Sequence, residues 1–174
     1  MSVLSRDEIL KSLASGEIKI TPGYEEKSIG AASIDLTLSN EFRVFKKRDN
    51  NDTIIVSESI NYQDFSDFSL LKEGERFILE PGHMCLGITE ETIELSPKLC
   101  GLLEGRSRFA RMGLFVHISA GFMNPGIKNR QVLEIFNASS NRLELVPGTK
   151  ICQFVFMELK GTAVYHGRFE NNKL

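Results

Sequence analysis

The run Gly105-Arg106-Ser107-Arg108-Phe109-Ala110-Arg111-Met112-Gly113 places three arginines and a hydroxyl between two apolar, strand-like segments, LCGLLE and LFVHIS. Ser107 and Arg111 are four residues apart, so one helical turn presents both on the same side. Guanidinium forks match phosphate oxygens, and a hydroxyl can donate to a phosphate or orient a water. Gly105 permits close backbone approach, and the first amides of a helical turn attract anions. The competing interpretation is a solvated basic turn, which local composition alone favours.

A carboxylate offers the complementary chemistry. In QVLEIF the strand alternation puts Val132, Glu134 and Phe136 on one face and Leu133 and Ile135 on the other. A glutamate among apolar neighbours needs a partner, and desolvation of such a group favours proton transfer near neutrality. An outward-facing glutamate or a structural ion pair fits the spacing equally well. Asp35 in SIDLTL shares its face with Ser33 and Thr37, which reads as structural hydrogen bonding. Asn124-Pro125-Gly126 reads as a turn.

Other chemistries leave no trace. There is no H-x-E…P-C-x-x-C zinc-deaminase signature, no H-E-x-x-H and no G-x-x-x-x-G-K-[ST]. His83, His117 and His166 are scattered, and a lone strand histidine such as His117 reads as structural. Cys85, Cys100 and Cys152 fall in apolar runs, as expected of buried reduced thiols in a cytoplasmic protein.

The elements that must position these residues follow from periodicity. Ser5-Arg6-Asp7-Glu8 fits a capping box, Ile9, Leu10 and Leu13 follow at helical spacing, and Gly16 marks a stop. From Ser33 onward the period is two. SIDLTL, EFRVFK, TIIV, ERFILE, MCLGI, ETIEL, KLCGLLE, LFVHIS, QVLEIF, RLELV and KICQFVFMEL are strand candidates. Glu80-Pro81-Gly82, Asn124-Pro125-Gly126 and Val146-Pro147-Gly148 separate them, with Asn50-Asn51 in a polar link. The stretch from Glu58 to Glu75 reads as an insertion or long loop. Many short strands with one brief helix argue an all-β sandwich or jelly roll.

The expected organisation is one domain over 1–174, with a helix and lead-in at 1–20 and a polar tail at 161–174. A chain of 174 residues can enclose a real core. The formal net charge of −2 argues against a duplex-binding protein, so any anion site must be local. No signal peptide or membrane span is expected from the sequence.

Taken together, the segments resemble the dCTP deaminase family of the dUTPase-like superfamily. The resemblance spans nearly the whole chain in order: Leu4-Ser5-Arg6-Asp7-Glu8-Ile9 with GEIKITP, ASIDLTLSNEFRVFK, FILEPG, LLEGRSRFARMGLFVHISAGF, NPG, VLEIFN and PGTKICQFVF. It implies a distorted jelly roll that assembles as a homotrimer with sites between subunits. The implied enzyme is a hydrolase acting on a cyclic amidine C–N bond, converting dCTP to dUTP and ammonia without zinc and so supplying the dUMP/dTTP pathway. Mg²⁺ would be bound through the triphosphate, and dTTP is a candidate effector.

By position, the resemblance makes Glu134 the general base and acid. Ser107 and the Ala120 carbonyl would hold the attacking water, with Arg111 beside Glu134. Arg106, Arg108, Gly121, Phe122, Asn124, Gln153, Tyr165 and Arg168 are the implied substrate-binding residues. Three departures stand out. Arg108 replaces a small hydroxyl residue. Asn124 replaces an aspartate that serves the sugar and the water in dUTP-hydrolysing members, and an amide cannot act as a base. The tail from Tyr165 to Phe169 matches the family's closing segment only loosely. Alternatives are a dUTP diphosphatase, a bifunctional enzyme carrying dCTP through to dUMP, or a non-catalytic nucleotide-binding regulator.

Overall fold

A computed structural model describes residues 2–46, 53–168 and 174, and the described residues form eleven strands, two α-helices and two short 3₁₀ turns. The Asn50-Asn51 link and the tail from Phe169 to Lys173 lie outside the described residues. Helix α1 spans Arg6–Ser15 and ends where Gly16 adopts a left-handed φ of 79°, its N–H returning to the Leu13 carbonyl. Ser5 occupies the cap position, but its side chain makes no capping hydrogen bond. Ile9 is fully buried, and Leu10 and Leu13 pack against the core.

The strands are β1 Ile18–Thr21, β2 Ile34–Phe45, β3 Ser66–Leu70, β4 Phe77–Leu79, β5 Met84–Leu95 and β6 Leu99–Gly105. Helix α2 is one turn, Ser107–Ala110. Then follow β7 Leu114–Val116, β8 Phe122–Met123, β9 Lys128–Asn137, β10 Leu143–Leu145 and β11 Lys150–Glu158. One antiparallel sheet runs β7-β9-β5-β2-β11-β6-β8, with β1 added to β5 and β3 to β2, while β4 and β10 pair separately.

Register shifts interrupt β2–β5 between Leu38 and Phe42, β5–β9 between Ile88 and Thr92, and β11–β2 between Lys150 and Cys152. Such bulges bend strands and increase twist, which curls the sheet into a distorted jelly roll, where the strand pattern alone left a sandwich and a jelly roll open. They also explain a difference in element count. SIDLTL and EFRVFK form a single strand, as do MCLGI and ETIEL, because each bulged strand continues through its polar break.

Three further differences come from tertiary pairing. TIIV forms no strand, and Ile55 and Val56 stay exposed without a sheet partner. The expected loop from Glu58 to Glu75 contains a 3₁₀ turn at Tyr62–Phe65 and strand β3, ordered by its pairing with β2. GEIKIT gains β1 only because β5 offers a free edge.

The core lies inside the curl, on Leu38, Phe42, Leu103, Leu133, Ile135, Phe154 and Phe156, each nearly or fully excluded from solvent. Gly101, in β6, sits against this core, and a Cβ there would lie 2.2 Å from the Phe154 ring and 2.6 Å from the Val155 carbonyl. Cys85, Cys100 and Cys152 are buried and unpaired by disulfides. Among the described residues no helix is long and apolar enough to cross a membrane.

Candidate active site

Strand β9 carries Glu134. Its Gln131, Leu133, Ile135 and Asn137 side chains are buried, whereas Val132, Glu134 and Phe136 are half-buried on the opposite face. Glu134 therefore turns away from the core, toward the wall of a cavity of about 400 Å³, a volume suited to a small molecule. Leu86, opposite Glu134 in the β5–β9 ladder, lines the same space.

The chain after β7 forms the next wall. His117 has a positive φ of 62°, unusual for a residue with a side chain, and it ends the strand there. Its N–H donates to the Glu134 carbonyl at 2.8 Å. Both imidazole nitrogens are buried without a hydrogen-bond partner among the described residues, and the ring lines the cavity. Ser119 then turns back, its N–H and Oγ donating to Glu134 Oε2 at 2.9 and 3.0 Å. Ala120, Phe122, Met123 and Asn124 continue the wall.

The tail supplies part of the rim. Ala163 N–H donates to the Pro97 carbonyl and Tyr165 N–H to the Pro125 carbonyl, docking this segment along the Asn124-Pro125-Gly126 turn. Gly126 adopts φ +71°, and a Cβ there would press on Val164 at 3.1 Å. The Tyr165 ring faces the cavity, joined by Phe45 and Tyr62. Arg168 Nη1 donates to the Glu58 carbonyl at 3.3 Å, linking the tail to the segment before Tyr62. Arg43, held to Ser66 by two hydrogen bonds, stacks near the rings of Tyr62 and Phe68 and fixes that segment to the sheet.

The arginine run has the expected single turn, with the Arg111 N–H donating to the Ser107 carbonyl at 3.0 Å. Gly113 follows with φ +82°, where a Cβ would meet Ser139 at 2.9 Å. Ser107, Arg108 and Arg111 are exposed, and among the described residues neither Arg108 nor Arg111 forms an ion pair. Arg106 differs: its guanidinium pairs with Asp35 at 2.8 Å and donates to the Lys150 carbonyl at 2.6 Å. Gln153 bridges the same region, donating to the Gly105 carbonyl and accepting from Ser33 Oγ.

Within one chain, Ala120, Phe122, Asn124, Glu134 and Tyr165 thus share one cavity, and Gly121 stands between two of its lining residues. Ser107, Arg106, Arg108, Arg111 and Gln153 are not among its lining residues. Sequence reasoning missed Ser119, because LFVHIS reads as unbroken alternation and nothing in it marks the turn at His117. It also missed Tyr62, for which the aromatic content of the insertion was the available signal, and Phe45, which ends β2 in an ordinary strand pattern. Among the described residues no three His, Cys, Asp or Glu side chains converge as a metal-binding group.

The curled sheet and a glutamate-walled cavity of ligand size define a jelly-roll protein with one candidate site on that cavity. A sequence model of the dCTP deaminase-like family matches residues 3–159, and the chain belongs to that family. It is 35% identical over 167 residues to the dUMP-forming dCTP deaminase of Methanopyrus kandleri, covering 94% of this chain and 85% of that protein. It is 38% identical over 163 residues to the dCTP deaminase of Thermomicrobium roseum, covering 93% and 82%. The fold is similar to the crystal structure of 2′-deoxycytidine 5′-triphosphate deaminase from Agrobacterium tumefaciens, with a TM-score of 0.66 at 18% identity. That match covers 88% of this chain and 47% of the Agrobacterium chain.

Proposed function

We propose that the protein is a dCTP deaminase, a hydrolase that converts dCTP and water to dUTP and ammonia. One observation carries the reading: in a chain of this family, Glu134 stands on the wall of the 400 Å³ cavity. As general base, Glu134 takes a proton from water while the oxygen attacks C4 of the cytosine, forming a C–O bond. That proton passes to N3, and Glu134 then takes the remaining proton from the new C4 hydroxyl and delivers it to the exocyclic nitrogen, so that the C4 oxygen becomes the carbonyl. The C4–N bond then breaks and ammonia leaves, so one water enters for each ammonia released. A positioned acid–base group of this kind contributes about 10²–10⁴-fold to a rate.

The Ala120 carbonyl is proposed to accept from the attacking water, with Phe122 and Gly121 along the base and sugar. Asn124 bonds the sugar hydroxyl, and Tyr165 closes the rim. Ser107 and Arg111 are proposed to reach the cavity from a second copy of the chain, completing the site in a homotrimer. Their exposure and absence from the cavity of their own chain support this division. Arg108 and Arg111 suit triphosphate oxygens, which accounts for a local arginine cluster in a chain of net charge −2. Arg106, Gln153 and Arg168 hold the surrounding frame and contribute what donor capacity remains. Mg²⁺ is proposed to arrive with the triphosphate.

A second reading, conversion of dCTP through to dUMP, is favoured by the dUMP-forming activity named for the Methanopyrus relative. Asn124 opposes it, since an amide cannot serve as the base for a second hydrolysis. Incubation with dCTP and Mg²⁺ and a coupled ammonia assay test the deaminase reading. Steady ammonia release supports it, and none from folded, trimeric protein refutes it. Sedimentation should give a particle about three times the 19.6 kDa chain mass.

A further inference from the structure

Glu134 Oε2 accepts two hydrogen bonds from a single residue, the Ser119 N–H at 2.9 Å and the Ser119 Oγ at 3.0 Å. Oε1 has no partner among the described residues. The same loop is stitched to the Glu134 backbone by the His117 N–H. We infer that Ser119 is a positioning residue: it clamps one oxygen of the carboxylate and thereby presents the other to the cavity. This rests on the reading of Glu134 as the acid–base group.

The physical case is one of orientation. Glu134 sits on the half-buried face of β9, where a long side chain has freedom to swing toward solvent. Among the described residues its carboxylate makes no ion pair that would fix it. Two donors converging on Oε2 from one loop define both the position of that oxygen and the rotation of the carboxylate plane. The open Oε1 is then pre-aimed, and a reacting group held in register accelerates chemistry without tightening substrate binding. Ser119 reaches the cavity only through Glu134: it is not itself a lining residue and, on this account, does not touch the substrate.

The test compares Ser119→Thr with Ser119→Val, which have nearly equal shape and differ in the hydroxyl. Both keep the backbone donor. The Thr variant should stay within about twofold of the parent in kcat. The Val variant, and Ser119→Ala with it, should lose about tenfold in kcat with KM changed less than twofold, as expected for an interaction expressed in the transition state. Crystal structures of the pair supply a readout independent of turnover. The Glu134 carboxylate should keep its position in the Thr variant and be rotated or spread over several rotamers in the Val variant. Unchanged kcat and an unmoved carboxylate in the Val variant, or equal losses in Thr and Val, would overturn the clamp. If the parent protein releases no ammonia, the deaminase reading fails, and the two crystal structures still decide whether Ser119 orients Glu134.

Discussion

The Arg106 guanidinium lies 2.8 Å from the Asp35 carboxylate, tying the residue before α2 to strand β2. A second bond, to the Lys150 carbonyl, ties it to β11. The basic run is thereby divided. Arg106 folds inward as an anchor, and Ser107, Arg108 and Arg111 stay exposed, as their proposed role in a second copy's site requires. Both members of the ion pair are about one-quarter exposed or less on their side chains, at 26% and 21%.

Arg106→Ala should therefore destabilise the protein. The pair lies between exposed bridges worth less than about 1 kcal/mol and buried ones whose disruption costs about 3–5 kcal/mol, so about 2 kcal/mol is expected. In a chain of this size that lowers Tm by roughly 4–8 °C. Differential scanning calorimetry checks it, and an unchanged Tm would show the pair to be incidental.

Glu134→Gln keeps the shape of the side chain and removes its capacity to take a proton. Ammonia release should fall by about 10²–10⁴-fold while nucleotide binding, followed by calorimetric titration, changes little. Retained turnover would remove Glu134 from its role.

Gly101→Ala should be among the most damaging single changes. The new methyl would overlap the Phe154 ring at 2.2 Å and the Val155 carbonyl at 2.6 Å, and the backbone oxygen cannot swing aside. Overpacking of this kind costs about 3 kcal/mol or more. A denaturant midpoint equal to that of the parent would contradict the packing described.

The three cysteines should be inert in the folded state. Burial pushes the Cys85 thiol up to about 12 from an ordinary 9.0, and it raises Cys100 and Cys152 as well. A thiol reagent at pH 8 should label none quickly in the native protein and three in denaturant. The linkage has a definite sign. Above pH 9 the unfolded chain sheds the Cys85 proton that the folded chain keeps, so fewer protons are bound on unfolding and stability falls as pH rises from 9 toward 12. Fast native labelling, or stability rising across that window, would contradict the buried placement.

Much of this was legible in the sequence, for reasons that differ by residue. Helix α1 follows from Ile9, Leu10 and Leu13 and the Gly16 stop, all local signals. The alternation in QVLEIF correctly set Glu134 opposite Leu133 and Ile135, but it could not tell which face was core. That is decided by β5 and β7 pairing on either side of β9. The single turn at Ser107–Ala110 followed from spacing, whereas the capture of Arg106 by Asp35 depends on β2 and β6 being brought together through β11. Ser119 was hidden for the same reason. Its role arises from a turn at His117 toward a strand distant in sequence, and a period-two pattern carries no record of that turn.

Chromatographic separation of the products of dCTP with Mg²⁺, with ammonia measured in the same reaction, tests the central claim most directly. The account predicts ammonia and dUTP in equal amounts, with no pyrophosphate and no dUMP. A folded trimer that returns dCTP unchanged would contradict it.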